Sequence, residues 1–162
     1  MPDNHLLTTI YANWKGYQEK VAAAIAPLTA AQLTLRAAPH LHSIGEIAEH
    51  MVGVRIGWMV YSMGEDVATI RDLSHFGVDP RPTSTAAELV NDLGVTWRLI
   101  SNALARWSDA DLKQTFIETD DDGNQYPLER AWVIYHLLEH DLHHGGEVSL
   151  TLGAHGLEAP DI

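Results

Sequence analysis

Four long stretches of the chain repeat apolar residues every three or four positions, and this pattern constrains the fold more than any other feature. The stretches run through residues 7–28, 44–63, 89–107 and about 127–152. A period of 3.6 residues places the apolar side chains of each stretch on one face of an amphipathic helix. Four such helices in 162 residues predict an all-α fold, a four-helix bundle that forms a single domain over residues 1–162.

Local signals indicate where these helices begin and end. Ser-Ile-Gly-Glu at 43–46 and Thr-Ala-Ala-Glu at 85–88 are capping boxes, which predict the starts of the second and third helices. Glycine commonly follows the last helical residue and proline is common at the first. We therefore expect the second helix to end at Gly64, and the fourth to run from about Pro127 to a stop at Gly153.

The connections between the helices carry weaker signals. Short helical turns are expected at 29–33 and 108–112, and a brief extended piece at 116–119. Residues 120–126, DDDGNQY, are typical of a polar turn. About 20 residues separate the second and third helices, and a crossover of this length allows an order other than up-down-up-down.

Charge and apolar content exclude several functions. The net charge of −12, with no Lys/Arg cluster, argues against nucleic-acid binding, which depends on basic groups that neutralise phosphates. No apolar run reaches the roughly 18 residues that cross a bilayer, and residues 1–16 lack the pattern of a signal peptide. We therefore expect a cytoplasmic protein that acts on a small molecule and has no nucleic-acid or membrane partner.

Four histidines crowd the predicted fourth helix: His136, His140, His143 and His144. At 100° per residue, His136 and His143 lie on a polar stripe, whereas His140 and His144 lie between that stripe and an apolar arc. Two imidazoles spaced i and i+4 can bind one ion from one face of a helix. Pairs that use His136 or His143 are also compatible with the helical wheel.

A third ligand is needed for a typical catalytic metal site. Since the chain has no cysteine, it must be a His, Asp or Glu, and His50 at the flank of the second helix is the best candidate. The histidines outside these helices are set aside, with His42 a weak exception because it lies close in sequence to His50. Asp141 falls inside the apolar arc of the fourth helix, an unusual place for a charge.

Two motifs make the sequence resemble the DinB/YfiT-like family of metalloenzymes. Residues 43–51, SIGEIAEHM, resemble its second-helix motif, which carries the first ligand histidine. Residues 140–147, HDLHHGGE, resemble its pattern of His, three residues, His, any residue, Gly and Gln. The resemblance spans nearly the whole chain. It implies a bundle of up-down-down-up order and a divalent ion, usually zinc or nickel, held by His50, His140 and His144.

The last motif departs from the family pattern at two positions. Glu147 replaces the usual Gln, and Gly145 replaces a usual basic residue. A carboxylate at 147 can accept a hydrogen bond from the outer N–H of a ligand histidine, a support that metal-binding histidines commonly have. A simply solvated carboxylate is the alternative.

The resemblance implies an enzyme that uses a low-molecular-weight thiol, such as bacillithiol, mycothiol or glutathione. A metal-dependent S-transferase or thiol-dependent isomerase is therefore the first hypothesis, and the absence of cysteine is consistent with an external sulfur nucleophile. Metal-dependent hydrolysis is the second, with Glu139, Asp141 and Glu147 as the nearby carboxylates. A non-catalytic, stress-related metal or ligand-binding protein is the third.

The last expectations concern the packing of the tryptophans and the oligomeric state. The five tryptophans lie mostly on helical stripes, which favours packing in the core or in a dimer interface. Trp58, two turns beyond His50, is the one expected near the site. The resemblance also implies a homodimer.

Overall fold

The computed structural model describes residues 5–78, 82–120 and 122–160, most of which are helical. The long helices are α1 (His5–Ile25), α3 (Ile44–Ile56), α4 (Ala86–Arg106) and α6 (Arg130–Ala154), and the short ones are α2 (Ala30–Leu33) and α5 (Asp109–Leu112). A π-helical segment, Gly57–Ser62, continues α3, and a 3₁₀ turn, Thr69–Asp72, lies in the connection to α4. Strands β1 (Thr115–Thr119) and β2 (Gln125–Glu129) form an antiparallel hairpin before α6. None of the helices in these ranges is long and apolar enough to cross a membrane.

Each long helix packs against two of the others. Helices α3 and α1 both contact α4 and α6, so the four apolar faces meet in the middle. The fully buried aliphatic side chains come from all four helices, among them Ile25, Val52, Ile100 and Leu137. Burying one such side chain stabilises the fold by about 1.5–3 kcal/mol. Because α3 and α6 are neighbours, side chains at the edges of these two helices can meet.

Both predicted capping boxes are confirmed. At the start of α3, the Ser43 hydroxyl accepts from the Glu46 N–H at 3.3 Å, and the Glu46 carboxylate accepts from the Ser43 N–H at 2.7 Å. Arg36 donates to the same carboxylate at 2.8 Å. The Ser43 N–H, followed by Arg36, lowers the pKa of Glu46 to about 2. The first turn of α3 is thereby held in place, four residues before His50.

The predicted start of the fourth helix at about Pro127 is wrong, because residues 125–129 form β2 and the helix begins at Arg130. Pro127 lies opposite Ile117 in the hairpin. A two-stranded hairpin has only edge strands, which tolerate a residue without an N–H. The turn uses Gly123 at φ 83°, a conformation that favours glycine. The extended piece expected at 116–119 is confirmed as part of β1, while its pairing partner was not foreseen.

The ends of two helices also differ from expectation. Gly153 lies inside α6, which continues to Ala154, and the residue with positive φ is Gly156 at 68°. That geometry, with Gly156 one residue past the cap, is the usual glycine stop. The second helix ends before Gly64, as predicted, and Gly64 has a φ of 69°. Its last turns, however, are the π-helical segment rather than regular α-helix.

Candidate metal centre

Three histidines from two neighbouring helices meet at the edge of the α3–α6 interface. His50 lies on α3, and His140 and His144 lie one turn apart on α6. The Nε2 atoms of His50 and His140 are 3.0 Å apart. The ring centroid of His144 is 4.8 Å from that of His50 and 4.3 Å from that of His140. The structure therefore brings together the three residues predicted as ligands, and their binding of an ion stays a prediction.

The spacing of the nitrogens fits ligands of a single divalent ion. One nitrogen from each of the three rings lies within 4.8 Å of the others. At the usual zinc–imidazole bond length of about 2.0–2.1 Å, two nitrogens 3.0 Å apart subtend roughly 95° at a shared ion. A hydrogen bond between two neutral imidazoles also allows this distance, and a shared ion would in addition bind the nearby third ring. A donor set of three imidazoles suits zinc, nickel or copper.

The surroundings keep two of these imidazoles in the neutral form that binds metals. Partial burial, followed by the nearby His144 and His50, lowers the pKa of His140 to about 3. Partial burial and then His144 also lower the pKa of His50. A protonated ring has no free lone pair, so a lowered pKa favours ligation. At neutral pH, both rings can donate to a metal without first losing a proton.

Glu147 lies against the third histidine. Its Oε2 atom is 2.6 Å from Nδ1 of His144, and its Oε1 atom is 3.5 Å from Nε2 of His143. A carboxylate that accepts from Nδ1–H fixes the ring tautomer and leaves Nε2 free to bind a metal. Nδ1 of His140, by contrast, is buried and has no hydrogen-bond partner among the described residues. The contact predicted for Glu147 is present, and its influence on metal affinity stays a prediction.

A cleft of about 360 Å³ opens beside the rings of His50 and His144, next to the first turns of α3. It is lined by His42, Glu46, Ile47, Glu49, His50 and His144. This volume is within the range of small-molecule sites. His42, which only its closeness in sequence to His50 had singled out, is part of the lining. The candidate centre is thus open to a ligand of modest size.

Sequence analysis missed a buried ion pair beside the centre. Asp141 accepts from Arg55 twice, with Nε to Oδ1 at 3.1 Å and Nη2 to Oδ2 at 2.7 Å, and from the Trp14 indole N–H at 2.7 Å. Both charged side chains are fully buried. The position of Asp141 in the apolar arc of α6 was the sequence signal for this pair, because a buried carboxylate needs a hydrogen-bonding or charged partner. With its oxygens engaged in this way, Asp141 is not free to act as a general base.

The other two histidines of α6 have different surroundings. His143 is exposed, and it forms with His144 and Glu147 a second group whose atoms could hold an ion. The alternative left open for His143 was a pair of histidines spaced i and i+3 or i and i+4, whereas this group joins His143 to the adjacent His144 and to Glu147. His136 instead stacks on the ring of Trp132, at 4.9 Å between centroids. Neither histidine belongs to the group formed with His50.

Comparison with known proteins adds the family. A family model described as the DinB superfamily matches residues 14–148, most of the chain. The chain belongs to the DinB superfamily. The resemblance read from the two motifs is therefore confirmed, together with a mostly helical fold.

Two solved structures resemble this DinB superfamily member along nearly its full length. A DinB-like protein from Bacillus cereus ATCC 10987 is 22% identical, with a TM-score of 0.67, and the match covers 94% of this chain and 95% of that one. A conserved protein from Enterococcus faecalis is 14% identical, with a TM-score of 0.60 and coverage of 94% and 99%. At these identities the likeness concerns the fold alone. No curated protein matches the chain.

Proposed function

We propose that the protein is a metal-dependent enzyme whose divalent ion, zinc or nickel, is held by His50, His140 and His144. We propose further that it catalyses S-transfer or isomerisation with a low-molecular-weight thiol. The observation that best supports the metal centre is the meeting of three imidazoles, of which those of His50 and His144 line an open cleft. Membership of the DinB superfamily, which is generally metal-binding, supports it independently.

The residues of the chain fit the chemistry that such a centre needs. A divalent ion bound by three neutral imidazoles keeps its full charge and lowers the pKa of a thiol or water in the cleft. Glu147 holds the tautomer of His144 by accepting from Nδ1. Because the chain has no cysteine, the reacting sulfur has to come from a cosubstrate such as bacillithiol, mycothiol or glutathione.

Hydrolysis is the second candidate, and one carboxylate that lines the cleft, Glu49, favours it. Asp141 is engaged by Arg55 and Trp14, and Glu46 is engaged by the Ser43 N–H and Arg36. Glu49 lines the same cleft, so it is the carboxylate best placed to take a proton from water. A non-catalytic, stress-related protein that binds only metal would need no such cleft, whereas one that binds a small ligand would use the cleft without converting the ligand.

Metal content measured by mass spectrometry tests the centre. Untagged wild-type protein loaded with zinc or nickel should hold about one equivalent, and His140→Ala should lose it. His40→Ala is the matched control, because His40 is exposed and belongs to neither histidine group. Absence of metal in the wild type, or its retention in His140→Ala at unchanged affinity, would exclude this centre.

A cosubstrate screen then separates the candidate reactions. Metal-loaded protein is titrated with glutathione, bacillithiol and mycothiol, and binding of one thiol that depends on the metal supports S-transfer or isomerisation. Failure of all three thiols would remove that reaction class. Turnover of an ester or amide without added thiol, lost in Glu49→Gln, would establish hydrolysis instead.

The order of the helices, the extent of the domain and the oligomeric state are also proposals. An up-down-down-up bundle in a single domain over residues 1–162 is supported by the packing of α1 and α3 on the same two helices. The long connection between α3 and α4 leaves room for these helices to run parallel. A homodimer stays a prediction, and sedimentation velocity measures it directly.

A further inference from the structure

Three aromatic rings form a cluster at one end of the candidate centre. Trp132 and His136 stack with centroids 4.9 Å apart and planes 11° from parallel. The Trp58 ring meets both nearly edge-on, at 5.6 Å from Trp132 and 5.6 Å from His136. We refer to Trp58, Trp132 and His136 as the aromatic cluster.

The cluster is continuous with the three histidines. The centroid of His136 lies 5.9 Å from that of His140, so no other side chain is needed to bridge the two groups. Trp132, His136, His140 and His144 follow one another every four residues on α6, which places them along one edge of the helix. A ligand held at the histidines therefore has the cluster within the reach of one substituent.

Trp132 is not buried by the fold that surrounds it. Its side chain is 43% exposed, whereas Trp14 and Trp97 in the core are 1% and 9% exposed. The expected role of the tryptophans in packing is thus confirmed for Trp14 and Trp97, while Trp132 leaves indole surface accessible. An accessible indole beside a stacked imidazole suits a flat group, because aromatic rings prefer offset or edge-on contact.

Trp58 reaches the cluster through the irregular end of the second helix. It lies in the π-helical segment, where the Met63 N–H donates to the Trp58 carbonyl, five residues back, at 3.1 Å. Such segments are frequent at functional sites. Here the segment begins beside the residue whose ring contacts both other members of the cluster.

We propose that the aromatic cluster is a subsite for a planar aromatic or conjugated substituent of the molecule that binds at the three histidines. This inference rests on the proposed metal centre and specifies its ligand: a small organic molecule with a metal-binding donor atom and a flat, apolar portion. Trp132 and Trp58 determine specificity, and neither touches the reacting atoms.

Binding of a matched pair of probes tests this subsite without any assay of activity. Imidazole and 4-phenylimidazole carry the same donor ring, and only the second has a flat substituent. Each is titrated into cobalt-loaded protein, and the change in the visible spectrum of the metal reports binding. In the wild type, 4-phenylimidazole should bind about 3- to 10-fold more tightly, the size expected of one aromatic contact.

Variants then show whether the preference for 4-phenylimidazole depends on the aromatic cluster. Trp132→Leu should bring the ratio of the two affinities towards one, and Trp132→Phe should keep part of the preference. Trp107→Leu is the matched control, because the Trp107 ring is held by Arg130 at 4.8 Å rather than by the cluster. It should keep the wild-type ratio.

The outcomes separate the subsite from the metal centre. No cobalt uptake and no imidazole binding would overturn both proposals together. Cobalt uptake with equal affinities for the two probes would overturn the subsite alone. A preference that survives in Trp132→Leu would likewise overturn it, because the flat group would then bind elsewhere.

Discussion

Removing the charge of Asp141 should destabilise the protein far more than a comparable surface change. Asp141→Asn keeps the size of the side chain but leaves the Arg55 guanidinium charged and fully buried. The contacts that Arg55 retains, to the Leu93 carbonyl at 3.1 Å and the Thr96 hydroxyl at 3.3 Å, carry no negative charge. The loss is therefore that of an uncompensated buried cation.

The loss of stability can be estimated from the hydrogen-bond partners that Arg55, Asp141 and Trp14 keep or lose in each variant. Removing one member of a buried ion pair costs about 3–5 kcal/mol, and a whole domain is stable by only about 5–15 kcal/mol. Replacing both members, as in Arg55→Met with Asp141→Leu, removes both charges. What remains is an indole N–H of Trp14 without its acceptor, which costs about 1–3 kcal/mol. The double variant should thus be more stable than Asp141→Asn.

Urea denaturation followed by circular dichroism measures these differences. With a slope of about 2 kcal/mol/M, a loss of about 4 kcal/mol lowers the unfolding midpoint by roughly 2 M. Glu19→Gln is the control, because it breaks the exposed pair with Lys15 and should change stability by no more than about 0.5 kcal/mol. A loss below about 1 kcal/mol in Asp141→Asn, or a double variant less stable than it, would refute the reasoning.

Three further predictions concern α6. In thermal melts, Gly145→Ala should destabilise the protein by about 1–3 kcal/mol, because the new Cβ would lie 2.7 Å from Cε1 of Tyr17. Gly146→Ala should stabilise it by about 0.5–1 kcal/mol, because a Cβ there would have nothing within 4 Å. Equal effects of the two variants would contradict this prediction. With a chelator present, the free energy of unfolding should fall as the pH drops from 6.5 towards 3, because His140 binds a proton in the unfolded chain before the folded one. Urea titrations at several pH values should show a shallower fall in His140→Gln, and an unchanged slope would argue against the lowered pKa. Glu147→Ala should weaken zinc binding about 10- to 100-fold in competition with a chromophoric chelator. Glu147→Gln keeps a hydrogen-bond acceptor and should lose less zinc affinity. Wild-type zinc affinity in both variants would show that the Glu147 carboxylate does not support the metal site.

Apolar periodicity was sufficient to predict the long helices, because an amphipathic helix is stabilised mainly by the face it buries. The capping boxes at 43–46 and 85–88 then located two helix starts, since those hydrogen bonds form within four residues. The π-helical segment after Ile56 was not predicted. Residues 125–126 were assigned to the polar turn and 127–129 to the fourth helix, because the residues of β2 alone do not show that they pair with β1 across that turn.

The candidate centre was predictable in its members and unpredictable in its surroundings. The wheel placed His140 and His144 at the boundary of the apolar arc, the flank of the second helix pointed to His50, and the motif resemblance implied all three. Contacts between helices depend on how far each is rotated about its axis, which one sequence does not state. For this reason Arg55 was not recognised as the partner of Asp141, although the misplaced charge required one.

The spacing of rings along α6 has a mechanical consequence. Trp132 and His144 are twelve residues apart on one continuous helix, a separation of about 18 Å at 1.5 Å per residue. Their distance cannot change without breaking that helix. His50 and Trp58 belong instead to the neighbouring helix and its π-helical continuation. A change in the distance between His50 and His140, or between Trp58 and Trp132, would therefore be a displacement of α3 relative to α6, while the spacing along α6 stays the same.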